Sequence, residues 1–313
     1  MRSIGYSLAI SVLLSVMGLV ASTGCLDRES DDELDIVVVS IAPQKEMVSR
    51  ILGPEIEIVV MVPENMEPHT YSPTPGQLLK VADADLYFAV GSGIEFEETN
   101  LNTLEETGSH MKVVDISQGI DVISFDDHLG HEGHEEEEDH EDDGHGHGGT
   151  DPHIWLDPAN METMADNVLK ALEEEDPDNA EKYRSNHEKY LEDLKATQTK
   201  IEEMLEPYSD RRFLTYHPAW GYFGDAFDLI QISVEEGGKE PGPQGIAALI
   251  EQANDENISV VFVEPQFDSS SAEQIAEAIG GEVVSVDPLA ADYMENLERV
   301  AQNMVEGFGG SIE

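Results

Sequence analysis

Four short stretches of the sequence each join a proline to a side chain that can bind a metal. Three of these side chains are histidines and the fourth is an aspartate. Three imidazoles and one carboxylate make a four-coordinate set that suits Zn²⁺, whereas Mn²⁺ prefers more oxygen ligands. We therefore predict a zinc site formed by His69, His153, His217 and Asp287, in the stretches Glu67-Pro68-His69, Asp151-Pro152-His153, His217-Pro218 and Asp287-Pro288.

Glu67 precedes His69 by two residues, and two roles are possible for it. Its carboxylate either hydrogen-bonds a ligand histidine or takes the fourth coordination place instead of Asp287. Four protein ligands leave no open position for an activated water, so we expect a binding protein and no catalysis. In the alternative, a zinc hydrolase, water replaces Asp287 on the metal and Glu67 is the base.

A second set of histidines lies in residues 126–149, a run rich in Gly, His, Asp and Glu. The run shows neither helical nor strand periodicity, which predicts a disordered loop. Because ordering such a chain opposes binding, we expect weak metal binding that captures or senses ions for the main site. A solvated charge run without a role is the alternative. The histidines of this run are His128, His131, His134, His140, His145 and His147.

The apolar runs that must position the main site fall into two groups of four. The first group lies before residue 120 and the second after residue 210, and helical patterns such as 76–82 and 245–254 separate their members. Continuous Val- and Ile-rich runs of this kind are typical of parallel sheets covered on both faces. In such sheets ligands bind beyond the carboxyl ends of the strands, where we place the proline-linked side chains. The runs are DIVVVSI, EIEIVVMV, DLYFAVG, KVVDIS, RRFLTYH, LIQISV, SVVFVEP and EVVSVD.

The two groups are separated by a helical pattern over residues 176–207, in which Asp176 can cap the first turn. At 1.5 Å per residue this helix would run about 45 Å and form a stiff connector. His187 falls on its apolar stripe, so we interpret it as a packing residue. The predicted fold is therefore α/β, with two lobes joined by one long rigid helix. Each lobe, 35–175 and 208–313, holds a four-stranded, mainly parallel sheet flanked by helices.

The first residues predict export. Residues 1–24 contain one early arginine, an apolar stretch and small residues before Cys25, the single cysteine, as in a secretory signal. We expect Cys25 to carry a lipid and residues 25–34 to form a tether, so that the chain lies at the outer face of the cytoplasmic membrane or in the periplasm. The formal charge of −51 argues against nucleic acid or anionic lipid as a partner.

Six stretches together resemble the metal-receptor family of ABC importers, specifically its zinc-binding branch. The resemblance implies two lobes joined by a rigid helix, a metal held between them, and delivery of that metal to an ABC permease in the membrane. It also implies His69, His153 and His217 as ligands, with Asp287 at a position that supplies a carboxylate. The manganese branch typically has a carboxylate where His217 stands. The stretches are PHTYSPTPGQL, DPHIWLDPAN, YHPAWGYF, KEPGP, VEPQF and VDPL.

Two further alternatives stay open from the sequence alone. One is a receptor of the same fold for manganese or iron, and the other is a surface adhesin or metal buffer that needs no transporter. We expect a monomer. The aromatic residues Trp155, Trp220, Tyr222 and Phe223 are expected to pack around the ligand loops, and Glu240 and Glu264 lie in matching stretches without an assigned role.

Overall fold

Eight strands form two parallel sheets of four in the described part of this computed structural model, which comprises residues 34–125, 149–235, 237–268 and 270–311. All of these residues belong to one unit, Leu34–Glu313. The expected signal, Cys25 and the tether up to residue 33 lie outside the described residues, as do the six histidines of the run 126–149. None of the helices in the described ranges is long and apolar enough to cross a membrane.

The first sheet has the strand order β2-β1-β3-β4, with every pair parallel. Its strands are β1 (Ile36–Ile41), β2 (Glu57–Val62), β3 (Leu86–Ala89) and β4 (Lys112–Asp115). The central strands are buried along their length, because helices cover both faces of the sheet. These helices are α1 (Ala42–Leu52), α2 (Pro75–Ala82), α3 (Glu95–Thr107) and α4 (Pro158–Glu175).

The second sheet repeats this arrangement with the order β6-β5-β7-β8. Its strands are β5 (Arg212–Thr215), β6 (Ile230–Ser233), β7 (Val260–Val263) and β8 (Glu282–Ser285). Its helices are α6 (Gly221–Ala226), α7 (Pro243–Asp255), α8 (Ser270–Ile279) and α9 (Tyr293–Gly307). The two-lobed α/β fold expected from the eight apolar runs is therefore confirmed.

One long helix, α5 (Ala180–Leu205), lies between the two sheets in the sequence and packs against α1, α4 and α9. Its buried stripe is the expected one and includes Tyr183, His187 and Tyr190. The expected cap was wrong. A 3₁₀ turn, Pro177–Asn179, precedes the α-helix, and the Asp176 carboxylate accepts hydrogen bonds from the side chains of Asn179 and Tyr183.

Helices from both lobes pack on α5, so the core runs through the connector from one lobe to the other. Buried residues of β1, α5 and α9 belong to the same apolar cluster, while a smaller cluster lies under α7 and α8. A connector embedded in the core in this way resists bending, because a bend would break its packing as well as its hydrogen bonds.

Candidate metal site

Three histidines that are far apart in the sequence meet at one cavity. The ring centroid of His217 lies 5.3 Å from that of His153 and 5.8 Å from that of His69. Two imidazoles that bind one tetrahedral zinc, each through a nitrogen about 2.0–2.1 Å from the ion, have centroids about 5 Å apart. Among the described residues no three His, Cys, Asp or Glu side chains form a group that could hold an ion as they stand. Binding of one ion by all three rings therefore requires some rearrangement of these side chains.

Strand ends position two of these histidines and the aspartate. His69 lies in the loop between β2 and α2, His217 follows β5, and Asp287 follows β8. The expectation that His153 also follows a strand of a sheet was wrong. The residue before its stretch, Thr150, forms only an isolated bridge with Ser124.

Each histidine has a carboxylate beside its Nδ1 atom. The distances are 3.0 Å from His69 to Glu95 Oε2, 2.7 Å from His153 to Asp151 Oδ1, and 3.4 Å from His217 to Glu235 Oε1. Because a carboxylate accepts a hydrogen bond, these contacts place the proton on Nδ1 and leave Nε2 free to bind a metal. A carboxylate in this position also fixes the ring and raises its basicity as a ligand.

The carboxylate of Glu67 accepts a hydrogen bond from the hydroxyl of Thr70, 3.0 Å away, and Glu95 stands beside His69. The two predicted roles of Glu67, supporting a histidine and binding the metal, stay predictions. Sequence reasoning missed Glu95, which lies at the start of α3 and carries no local signal. It also missed Glu235, although this residue follows β6 closely enough that the strand-end argument could have found it.

The cavity encloses about 440 Å³ including its mouth. Trp155 forms part of its wall, with its ring 5.2 Å from that of His153 and its indole N–H donating to the carbonyl of Pro288. Phe267 stacks on His217 at 4.8 Å. Trp220, Tyr222 and Phe223 are buried next to these loops, as expected of packing residues. The lining residues are Pro68, His69, Ile94, Glu95, Pro152, His153, Trp155, His217, Gln266, Phe267, Pro288 and Leu289.

Burial sets the electrostatics of the second lobe's part of the site. Desolvation lowers the pKa of His217, although the neighbouring Glu235 opposes this shift, so the neutral imidazole that binds metals is favoured. Behind it, burial raises the pKa of Glu264 to about 8. Glu264 accepts hydrogen bonds from the Thr215 hydroxyl, the His217 backbone N–H and the Trp220 indole, and so ties the loop of His217 to β5 and α6.

Asp287 is not among the residues that line the cavity, but its contacts lead there. Its Oδ1 atom accepts from the side-chain amide of Gln266 at 2.8 Å and from the backbone N–H of Leu289 at 2.9 Å, and both of those residues line the cavity. The backbone carbonyl of Asp287 accepts from Asn296 at 2.6 Å. The carboxylate is therefore held at one oxygen at the edge of the site.

Known proteins with sequences similar to this chain bind metals. The chain is 29% identical to the high-affinity zinc uptake system protein ZnuA of Bacillus subtilis (strain 168), covering 90% of this chain and 86% of that protein. It is 28% identical to the manganese-binding lipoprotein MntA of Halalkalibacterium halodurans, covering 95% and 97%. Among solved structures, one described as a crystal structure of ZnuA superposes with a TM-score of 0.78 at 35% identity, covering 88% of this chain and 99% of that one.

A family model places the chain among these receptors. The model described as zinc-uptake complex component A, periplasmic, matches residues 37–307. This family consists of solute-binding receptors for metal transport by ABC importers and is not a family of enzymes. The resemblance seen in the six sequence stretches is confirmed, and the chain belongs to the ZnuA family of metal receptors.

Proposed function

We propose that this protein captures Zn²⁺ between its lobes and delivers the ion to an ABC permease. The observation that carries the proposal is the convergence of His69, His153 and His217, each with Nδ1 beside a carboxylate. Three neutral imidazole nitrogens make a donor set that fits zinc better than the harder manganese ion. Asp287 is proposed as the fourth ligand.

Release of the ion requires that the site is not a fully enclosed cage. His69 and Glu95 are exposed, whereas His153 and His217 are buried. A cluster with one exposed ligand can bind and release an ion from the side of His69 while the buried pair stays in place. This asymmetry suits a carrier, in which the ion is cargo and no bond of a substrate is broken.

Manganese is the second candidate cargo, because a manganese-binding lipoprotein is 28% identical over 95% of the chain. The histidine at position 217 argues against manganese as the preferred ion, since it replaces an oxygen donor by nitrogen. An anchor at Cys25 and weak capture of ions by the run 126–149 remain parts of the proposal that rest on the sequence.

The test is a competition titration on the chain that starts at Cys25, with a chelator of known affinity, for Zn²⁺ and for Mn²⁺. We expect one tight zinc site, weaker manganese binding, and loss of more than about 100-fold in zinc affinity in His153→Ala, a cost above that of altering a residue that only supports a ligand. His110→Ala, which changes a histidine outside the cavity, is the matched control. Tighter binding of manganese than zinc would overturn the metal assignment, and unchanged affinity in His153→Ala would remove that residue from the site.

A further inference from the structure

We propose that Gln266 determines the metal specificity of the site, an inference that rests on the proposed function. Together with the backbone N–H of Leu289, its side-chain amide holds one oxygen of Asp287 and so limits this carboxylate to a single donor atom toward the ion. The site then offers three nitrogens and one oxygen, which favours a four-coordinate zinc ion over ions that take more oxygen ligands.

The contacts of Asp287 are unequal at its two oxygens. Oδ1 accepts two hydrogen bonds, from Gln266 Nε2 at 2.8 Å and from the Leu289 backbone N–H at 2.9 Å. A carboxylate that binds a metal through both oxygens would have to give up these bonds. One that binds through Oδ2 alone keeps them, and hydrogen bonds to the second oxygen are a usual support for a ligating carboxylate.

The chemistry of the amide determines which way Gln266 points. An ionised carboxylate only accepts hydrogen bonds, so the NH₂ group of Gln266 must face Asp287. The amide oxygen, Oε1, is then buried without a hydrogen-bond partner among the described residues. A buried acceptor without a donor is uncommon and costly. The contact with Asp287 therefore sets the orientation of the Gln266 amide.

Gln266 is also placed to act on the ion's surroundings. It lines the cavity together with its neighbour Phe267, whose ring stacks on His217 at 4.8 Å. The turn after β7 therefore restrains both the imidazole and the carboxylate that the second lobe contributes. Loss of the Gln266 amide would leave the histidines in place and remove one of the two hydrogen bonds that hold Oδ1 of Asp287, so its effect should differ between metals.

The variant that tests this is Gln266→Met, which keeps the approximate length of the side chain and removes its donor. Zinc and manganese affinities are measured by competition titration on the chain that starts at Cys25. We expect zinc binding to weaken about 10-fold, the lower end of what loss of a ligand's supporting partner costs. Manganese binding should be unchanged or tighter, so the ratio of the two affinities should fall at least as far. Gln274→Met, an exposed change on α8, should leave both affinities as they are.

Co²⁺ provides a readout that a merely structural role would not change. Four-coordinate Co²⁺ absorbs strongly in the visible range, and higher coordination weakens this absorption. We expect strong bands in the wild-type chain and weaker bands in Gln266→Met. If the methionine variant does not fold, as judged by thermal unfolding without metal, Gln266→Asn replaces it, because its shorter amide cannot keep the same contact.

Equal loss of zinc and manganese affinity, or unchanged affinities with unchanged cobalt bands, would overturn the role of Gln266. These outcomes are distinct from failure of the proposed function. If the wild-type chain has no tight zinc site, or His153→Ala does not affect it, the proposed function fails. If the wild-type chain binds zinc as proposed and the Gln266 variants change neither the metal affinities nor the cobalt bands, only the inference about Gln266 fails.

Discussion

His69 and His217 approach the same cavity from opposite lobes, yet their surroundings differ. The His69 side chain is 37% exposed and its partner Glu95 is 55% exposed, whereas His217 and Glu235 are 10% and 8% exposed. His217 is also stacked on Phe267 and supported from behind by Glu264. The His217 ring is already desolvated and fixed in position before an ion binds. At His69, much of the free-energy cost of desolvating and ordering the ring arises only when the ion binds.

His153 resembles His217 more than His69 in this respect. It comes from the first lobe by sequence, but its stretch is tied to the second lobe. The indole of Trp155 donates to the Pro288 carbonyl, and the Tyr293 hydroxyl donates to the Trp155 carbonyl. The proposed site therefore combines two buried histidines with one exposed histidine. Membership of a lobe does not determine how rigidly a proposed ligand is held.

The largest effect expected from this comparison is a difference between His217→Ala and His69→Ala. We expect zinc affinity to fall more than about 100-fold in the first variant and about 10-fold in the second. The exposed imidazole of His69 must be desolvated and ordered when the ion binds, so its bond to the ion contributes less net free energy. Competition titration measures both. An equal or larger loss in His69→Ala would contradict the asymmetry, and thermal unfolding without metal checks that both variants are folded.

Changes to the carboxylates beside these two rings should lower zinc affinity in the same order, with smaller losses. Glu235→Gln is expected to weaken zinc binding about 10-fold or more, as is usual when the hydrogen-bond partner of a ligand is changed. Glu95→Gln should cost about threefold or less, because an exposed ion pair contributes little and water can replace it. The exposed Glu98→Gln on α3 is the control, measured in the same titration. Similar losses at positions 95 and 235 would mean that burial does not control the support of the rings.

The smallest expected effect is one of pH on the metal-free chain, through Glu264. Its pKa is raised by burial from 4.5 to about 8, so the folded state keeps a proton that the unfolded state releases between these values. Stability from this group is therefore present at low pH and is lost as the pH rises through about 8. In Glu264→Gln, which stays neutral and keeps an acceptor for Thr215 and Trp220, this loss should be absent.

The measurement is the melting temperature at about pH 6 and about pH 9 with a chelator present. The wild-type chain should lose at least about 3 °C more than Glu264→Gln over this interval, the shift that ~1 kcal/mol produces in a chain of this size. Glu277→Gln, an exposed change on α8, should follow the wild type. A parallel decrease in wild type and Glu264→Gln would show that the raised pKa does not affect stability.

Local patterns predicted the fold and singled out the three histidines that line the cavity. A strand rich in Val and Ile must be covered on both of its faces, and each apolar run shows this composition by itself. All eight strands could therefore be predicted. For His69 and His217, their place after such runs pointed to a shared edge of the sheets, whereas His153 reaches the cavity without following a strand of either sheet. The helix α5 was predictable from its apolar stripe, although its first turn was not, because the side chain of Asp176 contacts Tyr183 instead of capping backbone N–H groups.

The support of His153 is local, because Asp151 lies two residues before it, but only the tertiary structure decided what holds the other proposed ligands in place. Glu95 is 26 residues from His69, Glu235 is 18 from His217, and Gln266 is 21 from Asp287. No spacing along one helix or strand connects these pairs, since each is brought together by neighbouring loops at the ends of parallel strands. The sequence alone thus specified which side chains could bind a metal. Packing of the two lobes on α5 decided which of them are buried and restrained.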